Sequence, residues 1–285
     1  MEAEQIQVFY PEAPALKRHI EYYYFLKTED DGFCSNYYAF PHINQSFNIH
    51  RNISCEIDQL SVRIQHDPAN DYCCILQGKY SNPLQVALQG KLDKVTIIFK
   101  PLGINHFIKP ALGDIAKQSS QIFTAWDGDA YYHRFLKAFY QTDDFRSRLL
   151  LLENFLLTQY NPPEKAAMLE PALEMLSDFD QEYTIGEISD SLSLNARTFN
   201  RLFHQFLAVS PVTYRKIARF RHSLKNKLFR QQFQNLTQIG YQSNFYDQSY
   251  FNKVYRKITG DNPSQFFNSI AKLADDQLIL KFIKK

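Results

Sequence analysis

The sequence has few of the residues that mark chains outside the globular class. Its 285 residues include only 9 Gly, 12 Pro and 4 Cys, and 45% of them are hydrophobic and 22% charged. So few Gly and Pro exclude a collagen-like or linker-dominated chain, and this balance of apolar and charged residues is typical of folded domains. The length predicts about two domains.

Long apolar runs are also lacking. No segment reaches the roughly 18–20 consecutive apolar residues that a membrane-spanning helix needs, so we expect no membrane partner. The first residues, MEAEQIQVFYPEAP, are acidic and lack the basic, apolar and small-residue succession of a secretory signal. We therefore expect a cytoplasmic protein.

The cysteines do not have the spacing of a metal site. The four cysteines are Cys34, Cys55, Cys73 and Cys74. The one close pair consists of adjacent residues, whereas the paired cysteines of zinc sites are typically separated by two to four intervening residues. Buried, reduced thiols are the expected state. The G-x-S-x-G, P-loop and dinucleotide-binding glycine patterns are missing as well. We predict no catalytic residue, no metal site and no cofactor.

We expect the histidines and the aromatic residues to have structural roles rather than catalytic or metal-binding ones. His42, His50 and His66 lie in one polar and aromatic region without H-x-H or H-E-x-x-H spacing, so we expect each to be a hydrogen-bonded structural residue. The chain has 24 Phe and 18 Tyr, and the main use expected for these rings is to fill large cores.

The first part of the chain reads as strands followed by helices. Turn signals such as Asp67-Pro68 separate short segments rich in aromatic and β-branched residues. From about residue 102 the pattern becomes helical, with the best helices at 129–140 and 143–159. The apolar residues of the second helix occupy more than one face. This pattern indicates a core helix, or a core helix that also contacts a partner chain. The predicted strands are 37–40, 46–50, 53–57, 72–77, 84–89 and 94–100.

Charge and proline divide the chain in two. Residues 1–180 carry 16 Lys and Arg against 23 Asp and Glu, a net charge of −7, whereas residues 181–285 carry 16 against 7, a net charge of +9. A basic module on an acidic body favours a polyanion as partner. Asn161-Pro162-Pro163 cannot continue a helix, so we predict domains at 1–160 and 161–285, with helix and short turn throughout the second.

The second domain contains an internal repeat. Residues 188–203 and 239–255 correspond, and from Phe199-Asn200-Arg201-Leu202-Phe203 and Phe251-Asn252-Lys253-Val254-Tyr255 onward the offset is 52 residues. Ser210-Pro211 pairs with Asn262-Pro263 at the same offset. Ser and Asn followed by Pro predict the starts of helices.

Each copy predicts a helix-turn-helix, at about 184–207 and 236–258. Phe199, Leu202 and Phe203 share one apolar helical stripe, whereas Asn200 and Arg201 point away from it. A helix with one buried apolar face and an opposite face that carries Asn, Arg or Lys is suited to contacting base edges and phosphates.

A long helix at about 211–229 is predicted between the copies. About 18 helical residues span roughly 27 Å, and successive faces of the major groove repeat about every 34 Å. The helix could therefore hold two recognition helices on one side of a DNA duplex. Its Arg215, Lys216, Arg219 and Arg221 give it a basic character.

Residues 183–270 resemble the AraC/XylS-type transcription regulators. The stretch LTQIGYQSNFYDQSYFNKVYRKITGDNPSQFF (236–267) is similar to that family's second helix-turn-helix in F-x-D-Q-S-Y-F, in the aromatic at Tyr255 and in T-G-x-x-P, and 184–214 is similar to the first. More faintly, 40–50 and 97–108 resemble sensor-like domains that precede such modules. The resemblance implies a multidomain fold: an α+β, β-rich N-terminal domain followed by an all-α double helix-turn-helix domain.

The resemblance also implies function and site residues. It implies a sequence-specific regulator that binds promoter or operator DNA, with RNA polymerase, a small-molecule effector and a second copy of the chain as further partners. Departures from the family are Ser193, Asn244 and Ala208 in place of Gly, Ser189 and Gly240 in place of Ala, and Phe267 in place of Arg. The implied DNA-binding residues are Arg197, Asn200 and Arg201 in the first motif and Gln248, Ser249, Asn252 and Lys253 in the second.

Two alternatives stay open. A DNA-repair enzyme of the alkyl-acceptor kind is similar in its C-terminal motif, but it requires a set of four suitably spaced N-terminal cysteines, which this sequence lacks. A protein-interaction module that no longer binds DNA is the other, and it would not need the charge of +9.

Overall fold

The computed structural model describes residues 6–229, 245, 247–273 and 278–283. Two six-stranded sheets, built by the N-terminal region together with two C-terminal strands, have the strand orders β1-β2-β9-β4-β7-β10 and β11-β12-β3-β8-β6-β5. Neighbours pair antiparallel except β6 and β8, which are parallel. The strands are β1 (Ile6–Phe9), β2 (Ile20–Thr28), β3 (Cys34–Ala39), β4 (Gln45–Arg51), β5 (Ile53–Asp58), β6 (Ser61–His66), β7 (Tyr72–Gln77), β8 (Leu84–Gln89), β9 (Leu92–Phe99), β10 (Ser120–Ile122), β11 (Ala271–Leu273) and β12 (Leu278–Phe282).

Helices dominate the chain after residue 102, together with a 3₁₀ helix at Gly103–His106. The α-helices are α1 (Pro14–Lys17), α2 (Leu112–Ile115), α3 (Ala130–Gln141), α4 (Phe145–Gln159), α5 (Glu164–Ala167), α6 (Glu170–Ser177), α7 (Ile185–Ser191), α8 (Ala196–Leu207), α9 (Pro211–Phe229), α10 (Gln248–Thr259) and α11 (Pro263–Ser269). No helix in these described ranges is long and apolar enough to cross a lipid bilayer.

The first sheet packs one face against helices α3 and α4. Because side chains alternate along a strand, Phe47 and Ile49 of β4 and Val95 and Ile97 of β9 point to the helices and are fully buried. In α4, Leu152 and its buried neighbours join the same core. The sequence prediction of helices at 129–140 and 143–159 is confirmed, and α4 is a core helix.

The predicted fold class, β-rich and then helical, is confirmed, but the sequence analysis missed strands at both ends. β1 and β2 precede the first predicted strand, and β12 pairs with β3 through Leu280 and Ala39. Helix and short turn were expected in that C-terminal stretch. This expectation is wrong for β11 and β12, because the apolar residues of β12 cover the edge of the second sheet and join its core. The division at residues 160 and 161 stays a prediction.

Helix α9 is shared by two helical units. Its Tyr214 and Ala218 belong to a core formed with α6, α7 and α8, and its Phe220 and Leu224 belong to a core formed with α10 and α11. The ring of Phe203 lies 5.6 Å from that of Tyr214. The unit around α8 and the unit around α10 are therefore fixed to one helix.

Candidate nucleic-acid interface

The first helix-turn-helix is built from α7 and α8. Thr184 caps α7, accepting a hydrogen bond from the Glu187 N–H at 3.2 Å, while the Glu187 carboxylate accepts one from the Thr184 N–H at 2.6 Å. Such reciprocal capping fixes the start of a helix. Ser189 is 2% exposed where the helices meet, and Asn195 caps α8 through the Thr198 N–H at 2.8 Å. The predicted motif at 184–207 is present.

Helix α8 separates apolar from polar residues. Phe199 and Phe203 are fully buried, whereas the predicted DNA-binding residues Arg197, Asn200 and Arg201 are all exposed. The Asn200 side-chain amide donates to the Ala196 carbonyl at 2.8 Å, which holds this side chain against its own helix. These three polar side chains thus lie on the exposed face of a helix whose opposite face is buried.

The second recognition helix is α10. Asp247 caps it by accepting from the Tyr250 N–H at 2.6 Å. Of the four predicted residues, Ser249 and Lys253 are exposed, and Gln248 and Asn252 are half-buried. The upstream half of this motif, including Gly240 and Asn244, lies outside the described residues.

Helix α10 repeats the packing of α8. Phe251 and Tyr255 are fully buried, and the Tyr255 hydroxyl lies 2.9 Å from the Ser223 Oγ of α9. The ring of Phe220 lies 5.1 Å from that of Tyr255. Ser210 and Asn262, predicted as helix caps, accept from the Thr213 and Gln265 N–H groups at 3.2 and 3.0 Å. The internal repeat is therefore also a structural repeat in its described parts.

The linking helix has the predicted length, but its arginines serve the protein itself. α9 runs over 19 residues, or about 28 Å at 1.5 Å per residue. Arg215 donates to the Tyr183 carbonyl, and Arg219 pairs with Glu182 at 2.8 Å. Arg221 donates to the Phe40 and Pro41 carbonyls at 2.6 and 2.8 Å. The basic pattern of this helix thus mostly reflects internal contacts.

Sequence reasoning missed basic residues beyond the predicted set. Arg256 and Lys257 of α10 are exposed in its last turn. Burial, and then the charge of Lys257, lower the pKa of Lys216 on α9. The signal was the helical spacing of Lys253 and Lys257, which places both on one side of α10. These groups extend the cationic surface beside the second motif.

Three of the four cysteines are buried or half-buried thiols, and the described residues group no metal ligands. No group of three or more His, Cys, Asp or Glu in the described part of the chain could hold a metal ion. Burial raises the pKa of Cys55 to about 12, of Cys73 to about 11 and of Cys74 to about 12. These thiols are protonated at neutral pH and so are weak nucleophiles, in contrast to the thiolate that an alkyl acceptor would use.

Comparisons with known proteins agree with this geometry. Residues 188–269 match the family described as a helix-turn-helix domain, and residues 8–121 match one described as a domain of unknown function (DUF6597). Over 148 residues, 51% of the chain, it is 26% identical to the arabinose operon regulatory proteins of Salmonella typhimurium and Escherichia coli, covering 50% and 48% of them. The chain thus spans about half the length of the curated relatives it matches.

The solved structure of ToxT from Vibrio cholerae aligns with a TM-score of 0.44 and 15% identity over 86% of this chain and 98% of that one. The helix-turn-helix match and the paired units on α9 define a protein with a DNA-binding domain of the helix-turn-helix class. Within that class, the chain is similar to AraC/XylS-type regulators over about half of its length.

Proposed function

We propose that the chain is a sequence-specific transcription regulator that inserts α8 and α10 into the major groove of promoter or operator DNA. The observation that carries this proposal is the packing of both helices on α9, each with a buried aromatic back and an exposed polar front. A helix fits the major groove of B-DNA, where every base pair presents a distinct pattern of donors and acceptors.

The exposed residue types match base edges and phosphates. Arg201 suits guanine through two hydrogen bonds, and Asn200 suits adenine once its amide leaves the Ala196 carbonyl. In the second motif, Gln248 and Asn252 suit adenine, while Lys253 suits guanine or a phosphate. Each paired contact contributes about 1–3 kcal/mol of discrimination.

Binding of the purified full chain to DNA selected from genomic fragments tests the proposal. We expect Arg201→Ala and Lys253→Ala each to weaken binding to the selected DNA by about 5- to 150-fold, the equivalent of 1–3 kcal/mol. Arg63→Ala is the matched control, because Arg63 is an exposed arginine on β6, paired with Glu56. Equal affinities for all four proteins would refute the assignment of the two helices.

The N-terminal region is proposed to regulate DNA binding, through a small-molecule effector or a second copy of the chain. Its contacts with the helical units support this role. The Asn105 side-chain amide donates to the Phe206 carbonyl of α8 at 2.9 Å. A Cβ at Gly113 of α2 would lie 2.1 Å from the His204 carbonyl oxygen, so α2 approaches the end of α8 closely. RNA polymerase is the further partner proposed for transcriptional output.

A further inference from the structure

The C-terminal strand β12 has a different neighbour on each of its two faces, since side chains alternate along a strand. Leu280 is buried in the core that the two sheets share, and Phe282 packs against the same core. On the other face, Ile279 packs against the core of the second helical unit, which comprises α10, α11 and the second half of α9. Lys281 pairs with Asp261 in the turn before α11. One strand is thus part of a sheet and also in contact with a helical unit.

The strand that pairs with β12, β3, divides its side chains in the same way. Tyr37 and Ala39 belong to the core of the sheets, whereas Tyr38 packs against the core of the second helical unit. Directly after β3, Phe40 is 2% exposed in that helical core, and its ring lies 4.9 Å from the ring of Phe266 in α11. The core of the second helical unit is therefore completed by residues of the N-terminal region and of β12.

The strand pair β11–β12 depends on β3 for its own structure. The two strands pair through three residues each, and an isolated pair of strands is marginally stable at best in water. β3 supplies a third strand, and beyond β12 the Ile283 N–H donates to the Asn36 carbonyl at 2.9 Å. Chain ends are poorly ordered unless they are tied down. The strand pair is therefore held by its contacts with β3 and with the two cores.

The connection between this strand pair and the second helical unit is short. A single residue, Ile270, lies between α11 and β11, and it packs against the helical core. Arg221 makes a second link from α9 by donating to the Phe40 and Pro41 carbonyls at 2.6 and 2.8 Å. The position of the second helical unit is thereby tied to the edge of the second sheet.

These contacts leave the proposed DNA-binding face of α10 uncovered. Ser249 and Lys253 are exposed, while Phe251 and Tyr255 are fully buried in the core against which β12 packs. The arrangement of the second helical unit on the sheet is therefore compatible with insertion of α10 into a groove.

We propose that β11 and β12 form a strap that holds the second helical unit on the sheets and so fixes α10 relative to α8 before DNA is bound. Mobile parts that become ordered on binding weaken affinity, and an arrangement fixed in advance avoids this cost. Once α8 occupies its half-site, a fixed α10 also meets the other half-site at a higher effective concentration. The strap therefore strengthens binding to DNA with two half-sites and not to one half-site alone. As a device for DNA binding, this inference rests on the proposed function; as a contact that orders α10, it does not.

Hydrogen exchange of the DNA-free full chain tests the ordering of α10. Leu280→Asp places a charge in the core of the sheets and should displace the strap, whereas Ile279→Ser removes the contact with the helical core and keeps Leu280. The matched control is Ile122→Ser, because Ile122 is 53% exposed on β10, an edge strand of the other sheet. We expect both strap variants to speed exchange in α10 (Gln248–Thr259) by about tenfold or more. Exchange in α8, and all exchange in the control, should stay within about twofold of the parent chain.

Affinity for two DNA duplexes tests what the strap does. The first is selected DNA with both half-sites, and in the second the half-site that responds to Lys253→Ala is scrambled. We expect Leu280→Asp to weaken binding to the first duplex by about tenfold or more and to leave binding to the second within about twofold of the parent chain. Far-ultraviolet circular dichroism verifies that the variants fold, and if Leu280→Asp does not fold, Ile279→Ser decides in the same assays.

Three results would overturn the strap: unchanged exchange of α10 in a folded variant, equal weakening of binding to both duplexes, or tighter binding of the variant to the duplex with both half-sites. If α10 exchanges faster in the variants but the parent chain binds no DNA, the ordering contact stands and the proposed function fails. If Arg201→Ala weakens DNA binding but exchange in α10 is unchanged in both strap variants, the proposed function stands and the strap fails.

Discussion

Ser193 and Ala208 hold backbone angles that L residues rarely adopt, with φ of +54° and +57°. Ser193 lies in the turn between α7 and α8, and Ala208 ends α8. The repeat partner of Ala208 is Gly260, which ends α10 with φ of +82°. The family usually has Gly at both unusual positions, so the two departures noted in the sequence coincide with left-handed backbone. Such a conformation costs a residue with a Cβ about 1–2 kcal/mol.

We expect Ala208→Gly to stabilise the chain by about 0.5–1 kcal/mol, because relief of this strain exceeds the entropy that Gly loses on folding. The free energy of unfolding, measured in urea, checks the prediction. The same substitution at Ala138, inside α3, should instead destabilise by about 1 kcal/mol. Destabilisation at both positions would contradict the strain at Ala208.

His19 and His106 form a buried, stacked pair whose ring centroids lie 3.8 Å apart. Burial, followed by the charge of His106, lowers the pKa of His19 to about 4. In the unfolded chain the same group titrates near 6.5. Between these values the unfolded state binds the proton and the folded state does not. The contribution of His19 to the free energy of unfolding is therefore complete above pH 6.5, and it is lost as the pH falls toward 4.

Urea unfolding at pH 7.5, 5.5 and 4.5 should show this decline, and His19→Gln should make it shallower. The comparison is His133→Gln, which replaces an exposed histidine of α3. A stability that stays constant down to pH 4.5 would show that the folded His19 titrates normally.

Helix α4 is joined to strand β9 by a buried ion pair. Arg148 is fully buried and donates two hydrogen bonds to the Asp93 carboxylate at 2.6 and 2.9 Å, and a third to the Thr142 carbonyl at 2.6 Å. Removal of Asp93 leaves the buried Arg148 with only the exposed Asp143, whose Oδ1 lies 3.8 Å from the Arg148 Nη2, as a carboxylate partner. The pair thus fixes where the helix lies on the sheet.

Asp93→Ala is expected to lower the free energy of unfolding by about 3 kcal/mol or more. The comparison is Glu56→Ala, which removes the partner of Arg63 in an exposed pair on β5 and β6 and should cost less than about 1 kcal/mol. Denaturant unfolding of both variants measures the difference. Equal costs would mean that Arg148 finds another partner or reaches water.

The sequence could predict elements whose causes are local. The caps at Ser210 and Asn262 and the apolar stripe of α8 depend on residues close together in the chain, and all three are observed. β12 could not be predicted in the same way. Its neighbour β3 lies more than 230 residues earlier, so its strand character depends on a contact that periodicity does not contain.

The candidate sites differ in the same respect. The proposed DNA-binding residues follow from helical spacing, since a helix determines its own polar face. The two faces of the strap need a partner strand as well, because Phe40 and Ile279 come to one helical core only when β12 pairs with β3. In β4, the alternation Ser46, Asn48, His50 is visible in the sequence, but it does not say which face of the strand is buried. His50 is 0% exposed, and neither of its ring nitrogens has a hydrogen-bond partner among the described residues, so the expectation of a hydrogen-bonded structural histidine is wrong there.

At the scale of the whole molecule, α9 and the N-terminal region together determine how the two recognition helices are held. α9 shares its first half with one helical unit and its second half with the other. Asn105 holds the end of α8, and the salt bridge between Lys281 of β12 and Asp261 joins the C-terminal strand to the turn before α11. Both units are therefore in direct contact with the β-sheet part of the molecule.

Hydroxyl-radical footprinting of the full chain on its selected DNA tests the central claim most directly. Two helix-turn-helix units on one rigid helix predict two protected blocks, centred about 10–10.5 base pairs apart on one side of the duplex. Arg201→Ala should relax base preference in one block only and Lys253→Ala in the other only. A single protected block, or loss of preference in the same block with both variants, would contradict paired insertion of α8 and α10.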